Sequence, residues 1–489
     1  TIAEVFKGAG YATGCFGKWH NGAHFPNSPQ GQGFDEFTGF TAGHLNNYFD
    51  SNIEKNGENF KASGYITDFL ANEAMGFIEN NKDKPFFCYI PFNAPHTPYQ
   101  VPDKYYDKYY NKLGIEDDTK LRARSTIYGM VENIDDNVGR ILNKLHELHL
   151  SENTIVLFIT DNGPNGKRFN DNMRGIKGWV HEGGIRVPCF IKWPGKLPQN
   201  KKIDQITAHI DILPTLVELA GIKQPHTLPW DGKSLVKLII KDDQTPYVNR
   251  ALFTHQRRGS SEFVPIPGTM RTNQFRMVVY DNKQPMLFDM QKDPEEKNNL
   301  ATEMPDLVNK MYVDYQNWFK DVTSEGLGFP PIPVGYSEAP RVELPAHEGF
   351  KTEGIEYKGS PQGWANDWFC SWDNQKDSVY WEIDVVEKST FKITLKYTCP
   401  EKNLGSTVQV KSNSQKVSGK VEKAFDPEVI PSPDRVKRKE AYEKEWASMD
   451  LGNLELDKGK TKIVVKASDI PNLEAFDLKA VILEKVVIN

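Results

Sequence analysis

The sequence predicts an α/β domain on a central, mostly parallel sheet with a small antiparallel subdomain, followed by an all-β sandwich. Three observations carry this expectation. Apolar runs of strand length at 85–90 and 155–159 alternate with long stretches of helical periodicity, the pattern of βαβ units. Runs at 250–255, 275–280 and 286–290 follow one another as short strands, the pattern of an antiparallel sheet. Beyond residue 345 nearly every segment alternates or runs apolar between Gly-, Asn- and Lys-rich turns. With 489 residues the chain is too long for one compact core, so two domains are expected, at 1–335 and 336–489, with the antiparallel subdomain at about 245–335.

Taken in order, Ile2, Val5 and Phe6 fall at helical spacing before Gly8 and Gly10, and a short strand then reaches Lys18-Trp19-His20. Alternate side chains of an extended segment share a face, so Lys18 and His20 are expected to point the same way. A helix is expected over 66–80, a strand over 85–90, and a long amphipathic helix over 119–148, where Ile127, Met130, Ile134, Val138, Ile141 and Leu145 recur every three or four residues. Asp135 and Asp136 within it diverge by roughly 100° around the axis, which assigns them to structure rather than to a metal. Residues 185–193 read as a strand, and a helix opens near Asp211 with Pro214 in its first turn. The Pro-rich stretch 326–345 reads as a linker, and 436–446 as the one helical pattern in the all-β part.

Hydrophobic residues make up 38% of the chain and aromatics 11%, a globular composition, and no apolar run is long enough to span a bilayer. A net charge of −6 gives no reason to expect nucleic acid, so an anionic substrate must be met by a local basic cluster. The five cysteines lack metal-site spacing. The chain opens at Thr1 without Met or a preceding strand, and a missing upstream segment is the expectation.

The stretch 154–188 carries the chemistry. An apolar strand delivers Asp161 and Asn162 to its carboxyl end, where open α/β sheets bind ligands. Two adjacent hard oxygen donors suit Ca²⁺, and Mg²⁺ less well. Arg168, Arg174, Lys177, His181 and Arg186 then alternate with glycines as a candidate anion cradle. Taken singly, each has a plain structural reading: Asp-Asn-Gly is a common turn, and basic loops are commonly just solvated.

Together, Asp161-Asn162-Gly163, Arg174-Gly175-Ile176-Lys177 and Glu182-Gly183-Gly184-Ile185-Arg186-Val187-Pro188 resemble the sulfatase family of the alkaline phosphatase superfamily. So do the segment 10–22, which contains Lys18 and His20, and Ala94-Pro95-His96-Thr97-Pro98. The likeness covers roughly 1–335. It implies an alkaline-phosphatase-like fold and a sulfuric ester hydrolase in which Asp161 and Asn162 bind the metal and Lys18 and Lys177 neutralise the sulfate. By the same likeness His96 protonates the leaving group, and His20 assists breakdown of the covalent intermediate.

The family's nucleophile is a formylglycine made from Cys or Ser in Cys/Ser-x-Pro-x-Arg, and its calcium takes two further Asp near the first strand. This chain contains neither element. Because both precede the segment 10–22 in the family, truncation is preferred to a pseudo-enzyme. Phosphate or phosphonate ester hydrolysis is the alternative chemistry, and a catalytically inactive glycan-binding protein the alternative class.

Substrate contacts are expected from loops outside these motifs: His44, Asn46 and Asn47, then Arg168 and His181, then His255, Arg257 and Arg258. Long polar side chains suit a sulfated saccharide better than a flat aryl group. The sandwich resembles carbohydrate-binding modules, with Trp364, Trp368 and Trp372 as aromatic candidates against core packing, or serves as a brace. A secreted or periplasmic enzyme of unknown oligomeric state is the resulting expectation.

Overall fold

The computed structural model describes the chain apart from residues 225–228, 257–263, 281–282, 327–329, 360–362, 439 and 487–489. It divides into two compact units, Thr1–Leu148 with Pro330–Asn489, and His149–Phe329.

In the first unit, α1 (Ile2–Gly8) starts at a capping box in which Thr1 and Glu4 satisfy each other's backbone N–H groups. It leads into β1 (Ala12–Lys18), and β2 (Glu36–Phe40), β3 (Asn52–Lys55), β4 (Glu58–Lys61), α2 (Ile66–Asn80) and β5 (Phe86–Tyr89) follow. The sheet has the order β4-β3-β2-β1-β5. β1 runs parallel to both β2 and β5, while β2–β3 and β3–β4 are antiparallel, so the parallel part is the centre. Helices α3 (Asp103–Tyr110) and α4 (Asp118–Glu147) complete this part. The expected helices at 66–80 and 119–148 thus form within a residue of their predicted ends.

The face of α4 differs from the apolar reading. Ile127, Met130 and Leu145 are buried as expected, but Asn133 and Asn137 are buried with them, while Ile134, Val138 and Ile141 are only half-buried. Asp68 of α2 accepts from both asparagines, at 2.8 and 2.7 Å, which makes the burial of two amides tolerable. The neighbouring Asp136 accepts the Tyr105 hydroxyl at 2.6 Å, in keeping with a structural role.

The second unit contains β6 (Val156–Ile159), α5 (Glu182–Ile185), β7 (Cys189–Lys192), α6 (Ile212–Leu219), α7 (Val236–Lys241), β8 (Leu252–His255), β9 (Gly268–Arg271), β10 (Phe275–Val279), β11 (Met286–Asp289) and α8 (Pro305–Val322). β8 to β11 form the expected antiparallel sheet, with β9 unanticipated. The run at 155–159 is a strand, but its four residues are half-buried and it pairs antiparallel with β7. The buried strand of a larger sheet is therefore corrected: among the described residues only β7 is hydrogen-bonded to it. Asp211 is buried in a two-point ion pair with Arg250, at 2.8 and 2.5 Å, and also accepts the backbone N–H of Ala208 and Lys233.

The rest of the first unit is a sandwich of two sheets. One contains β12 (Ile332–Val334), β14 (Phe350–Lys351), β17 (Ser378–Val385), β19 (Thr407–Ser412), β20 (Gln415–Lys420) and β22 (Gly459–Asp469). The other contains β13 (Arg341–Pro345), β15 (Glu356–Tyr357), β16 (Phe369–Cys370), β18 (Ser389–Thr398), β21 (Ala447–Leu456) and β23 (Asp477–Lys485). The core between them includes Trp372, Trp381, Phe391 and Leu395.

Two sequence readings fail here. The stretch 326–345 is not only a linker, because β12 and β13 are strands; each is hydrogen-bonded to a single neighbour, where proline is tolerated. Residues 436–446 form no helix among those described, since their polar side chains reach outward to residues of the first 103 positions instead of pairing along a helix.

Candidate functional site

In parallel strands the carboxyl ends lie along one edge, and the first cluster is built there. Lys18 is the last residue of β1, its backbone N–H donating to Pro91 O at 2.8 Å. The expected shared face of Lys18 and His20 is not formed by extended alternation. The strand stops at Lys18, and His20 has a left-handed backbone, φ 52°. The exposed His20 ring lies against Gly43, where a Cβ would come within 2.2 Å of Cδ2, and Gly43 itself has φ +74°. Glycine is required there on both counts.

His96 sits in the loop that follows β5. Its backbone N–H donates to Asn93 O at 2.9 Å, and Tyr48 Oη donates to His96 O at 2.8 Å while accepting from Asn93 Nδ2 at 2.7 Å. The Nδ1 atom is 3.0 Å from Thr97 O. A carbonyl oxygen only accepts, so this contact places a hydrogen on Nδ1.

The His44 ring meets that of His96 edge-on, centroids 5.3 Å apart. Burial chiefly, then the neighbouring His96, pushes His44 down to about 4, with Lys18 and Arg438 acting the same way and Glu440 opposing. His44 is thus neutral near pH 7. Asn46 and Asn47 are buried beneath the segment joining β20 to β21: Arg438 donates to Asn46 O at 2.6 Å, and Asn47 Nδ2 donates to Glu443 at 3.2 Å. They anchor that segment and do not stand open to a substrate.

The second cluster belongs to the other unit. Asp161 and Asn162 follow β6 by two and three residues, and Asp161 Oδ1 accepts the Asn162 N–H at 2.8 Å. Two backbone bonds tie this turn to the later motifs: Gly163 N donates to Gly184 O at 3.0 Å and Lys177 N to Pro164 O at 2.9 Å. A Cβ on Gly163 would lie 2.0 Å from Gly183 O, which explains glycine on both sides of the contact. The three motifs, distant in sequence, therefore form one loop system that gathers Asp161, Asn162 and Lys177.

The rest of the expected cradle is structural. His181 is 1% exposed, with Nδ1 3.2 Å from Glu296 and its ring stacked on Tyr280, so it presents nothing to a substrate. Arg174 donates to Glu296 O at 3.2 Å, and Arg186 lies 3.5 Å from Glu182, which is also paired with Arg276. Arg168 folds back onto Asn165 O at 3.1 Å within its own loop. His255 meets Val264 O at 3.0 Å and packs its ring on Phe319, which removes it from the substrate set. Arg257 and Arg258 lie outside the described residues. Trp368 and Trp372 are buried, leaving Trp364 exposed.

The donor set of Asp161 and Asn162 fits a hard divalent cation in kind. Among the described residues no group of three or more His, Cys, Asp or Glu is placed to hold a metal, so the pair supplies a part of the six to eight oxygens calcium prefers.

Sequence reasoning missed Arg438, Asp434, Gln100 and Glu440, which lock the segment between β20 and β21 against the His44 and His96 loops. Their signal is tertiary alone, since partners such as Asn46 and Arg438 are 392 positions apart.

Residues 1–222 match the family model described as Sulfatase, and 176–317 the model described as N-sulphoglucosamine sulphohydrolase, C-terminal. The chain is 30% identical over 369 residues to the uncharacterized sulfatase YdeN of Escherichia coli (strain K12), covering 63% of this chain and 64% of that protein. It is 27% identical over 400 residues to an N-acetylgalactosamine-6-O-sulfatase of Bacteroides thetaiotaomicron, covering 64% and 75%. It also resembles the crystal structure of Ps i-CgsB in complex with k-i-k-neocarrahexaose, with TM-score 0.59 and 28% identity over 65% of this chain and 74% of that one. The chain spans less than two thirds of the length of YdeN.

Proposed function

We propose that the protein is a sulfatase that hydrolyses the sulfate ester of a sulfated saccharide, a reading supported by the match of residues 1–222 to the Sulfatase model and of 176–317 to the N-sulphoglucosamine sulphohydrolase, C-terminal model. The observation that carries the proposal is the loop system that gathers Asp161, Asn162 and Lys177 through the backbone bonds of Gly163 N to Gly184 O and Lys177 N to Pro164 O. The saccharide is supported by a relative named as an N-acetylgalactosamine-6-O-sulfatase and by a similar structure solved in complex with k-i-k-neocarrahexaose.

Lys18 and Lys177 bind and neutralise the sulfuryl oxygens, charge placed where more develops in the transition state. His96 acts in its imidazolium form: Nδ1–H stays on Thr97 O, Nε2–H gives its proton to the departing sugar oxygen, and the ring is left neutral. His20 holds or removes a proton at the edge of the same cluster. Asp161 and Asn162 would hold the divalent cation, calcium by their chemistry, which supplies polarisation of the sulfuryl oxygens when bound. The family's nucleophile motif, Cys/Ser-x-Pro-x-Arg, does not occur within residues 1–489, and no step is assigned to a formylglycine. The division into a catalytic domain over 1–335 and a bracing or glycan-binding sandwich over 336–489, and a secreted or periplasmic location, belong to the same proposal. No described helix is long and apolar enough to cross a membrane.

The test is sulfate release by the full-length protein from sulfated oligosaccharides and from 4-nitrophenyl sulfate. His96→Ala should lower kcat on the saccharide by about 10²–10⁴-fold, as loss of a positioned acid does. Lys177→Ala should lower kcat/KM by about 10²-fold or more, the scale of a lost charge-stabilising group. Unchanged rates in both variants overturn the assignment.

A further inference from the structure

The loop that runs from Pro164 to Lys177 is closed at its base, where Lys177 N donates to Pro164 O at 2.9 Å. Its interior is tied by its own polar groups. Arg168 donates to Asn165 O at 3.1 Å, Asn170 Nδ2 donates to Met173 O at 2.9 Å, and Met173 N donates to Asn170 O at 3.2 Å. Asp171 and Asn172 take left-handed backbones, each with φ 57°, a conformation these two residue types tolerate best after glycine. Compact loops of this kind, with joined ends, are frequently functional.

Between the inward-bonded Arg168 and Asn170 stands Phe169. Its ring is 89% exposed, the most exposed large apolar side chain among the described residues. So exposed a ring adds little to folding, and the hydrogen bonds that shape the loop are made by its neighbours. What would cover it is indicated by charge. Residues 164–178 carry Lys167, Arg168, Arg174 and Lys177 against Asp171 alone, in a chain whose net charge is −6. An apolar ring in a cationic loop suits a ligand with a flat C–H face and negative groups around its rim. A pyranose ring of a sulfated chain has both.

We propose that Phe169 is the platform of a second saccharide subsite, receiving the C–H face of the sugar unit next to the one whose sulfate is removed. The inference rests on the sulfated-saccharide reading of the same loop system and extends it from the reacting unit to its neighbour. Phe169 is on this account a specificity-determining residue.

The test uses the full-length protein with Phe169→Ala, Phe169→Leu and Phe169→Tyr. In the alanine variant the ratio of kcat/KM on a sulfated oligosaccharide to that on 4-nitrophenyl sulfate should fall about tenfold, mainly through KM, the scale of one lost ring contact. Tyrosine should restore the ratio, because it keeps the aromatic face, and leucine should not. In a His96→Ala background, where turnover is slow, calorimetry should show the oligosaccharide bound about tenfold more weakly once Phe169→Ala is added. Urea midpoints should stay unchanged, as for other exposed positions. If the parent releases sulfate while Phe169→Ala keeps both its rate ratio and its affinity, the platform is overturned and the sulfatase reading stands. If the parent releases sulfate from no substrate yet binds the oligosaccharide through Phe169, the sulfatase reading fails and the platform stands. A lowered urea midpoint, or a change in oligomeric state with the ratio unaltered, would mean that the ring packs against protein in solution, and either overturns the proposal.

Discussion

In β17 the residues Val379, Trp381, Ile383 and Val385 are fully buried and alternate with Ser378, Tyr380, Glu382 and Asp384. In β6 and β7 the residues are as apolar, yet Val156 to Ile159 are half-buried and Phe190 of β7 is 66% exposed. The difference lies in where the cover comes from. An alternating strand states which face is inside, and the facing sheet of the sandwich is supplied by neighbouring sequence. A continuous apolar run states only that both faces want cover. Pattern therefore predicted burial well in the sandwich and overpredicted it in β6.

The strongest way to break this comparison is Trp381→Ala. The ring is fully buried and its Nε1 donates to Pro345 O at 2.7 Å, so its loss should cost about 3–5 kcal/mol, read as a fall in urea midpoint of the first unit. A cost under about 1 kcal/mol would mean the sandwich core is less exacting than its burial indicates.

A second test uses acid. His44, in the loops beside the parallel sheet, and His347, in the sandwich, are both pushed down to about 4 from 6.5, by burial first. The unfolded chain takes up these protons at higher pH than the folded one. Each histidine thus leaves stability intact above pH 6.5 and removes it as pH falls from 6.5 towards 4, by at most about 3 kcal/mol. His44→Gln and His347→Gln should each flatten the decline in urea-unfolding free energy over that interval. An unchanged slope in either would show that the corresponding site admits water or a proton acceptor.

The smallest effect is expected where apolar surface is already exposed. Phe190→Ser should move stability by no more than about 0.5 kcal/mol and reduce self-association in light scattering. A loss of several kcal/mol would mean that the β7 face is covered in solution.

Much of the fold was legible because local chemistry and tertiary context agree. Thr1 and Glu4 cap α1, Asp117 caps α4 through the Lys120 N–H, and strict alternation marks β17. In α4 the two disagree, since no single-sequence signal says that Asp68 will satisfy Asn133 and Asn137 and turn a polar stripe inward. Asp161, Asn162, Lys177, Lys18, His20 and His96 were singled out by motif alone. His181 was misread because a histidine between a Val and a Glu looks the same whether it faces a ligand or stacks on Tyr280. Glu440 was illegible because its partner Thr97 is 343 positions away, and its own neighbourhood reads as a polar helix.

The bond between Arg438 and Asn46 also bears on how the protein is made. The ribosome delivers Asn46 long before Arg438, and 392 positions separate them. At about 5–20 residues per second the interval is on the order of 20–80 s. Throughout it the His44 and His96 loops lack their covering segment, and the second unit, continuous from His149 to Phe329, is synthesised in between. That unit can fold as it emerges, whereas the first cannot be completed until Arg438 has left the tunnel. A nascent chain arrested near residue 400 should be cut by proteases within the first 148 residues yet be resistant between 149 and 329.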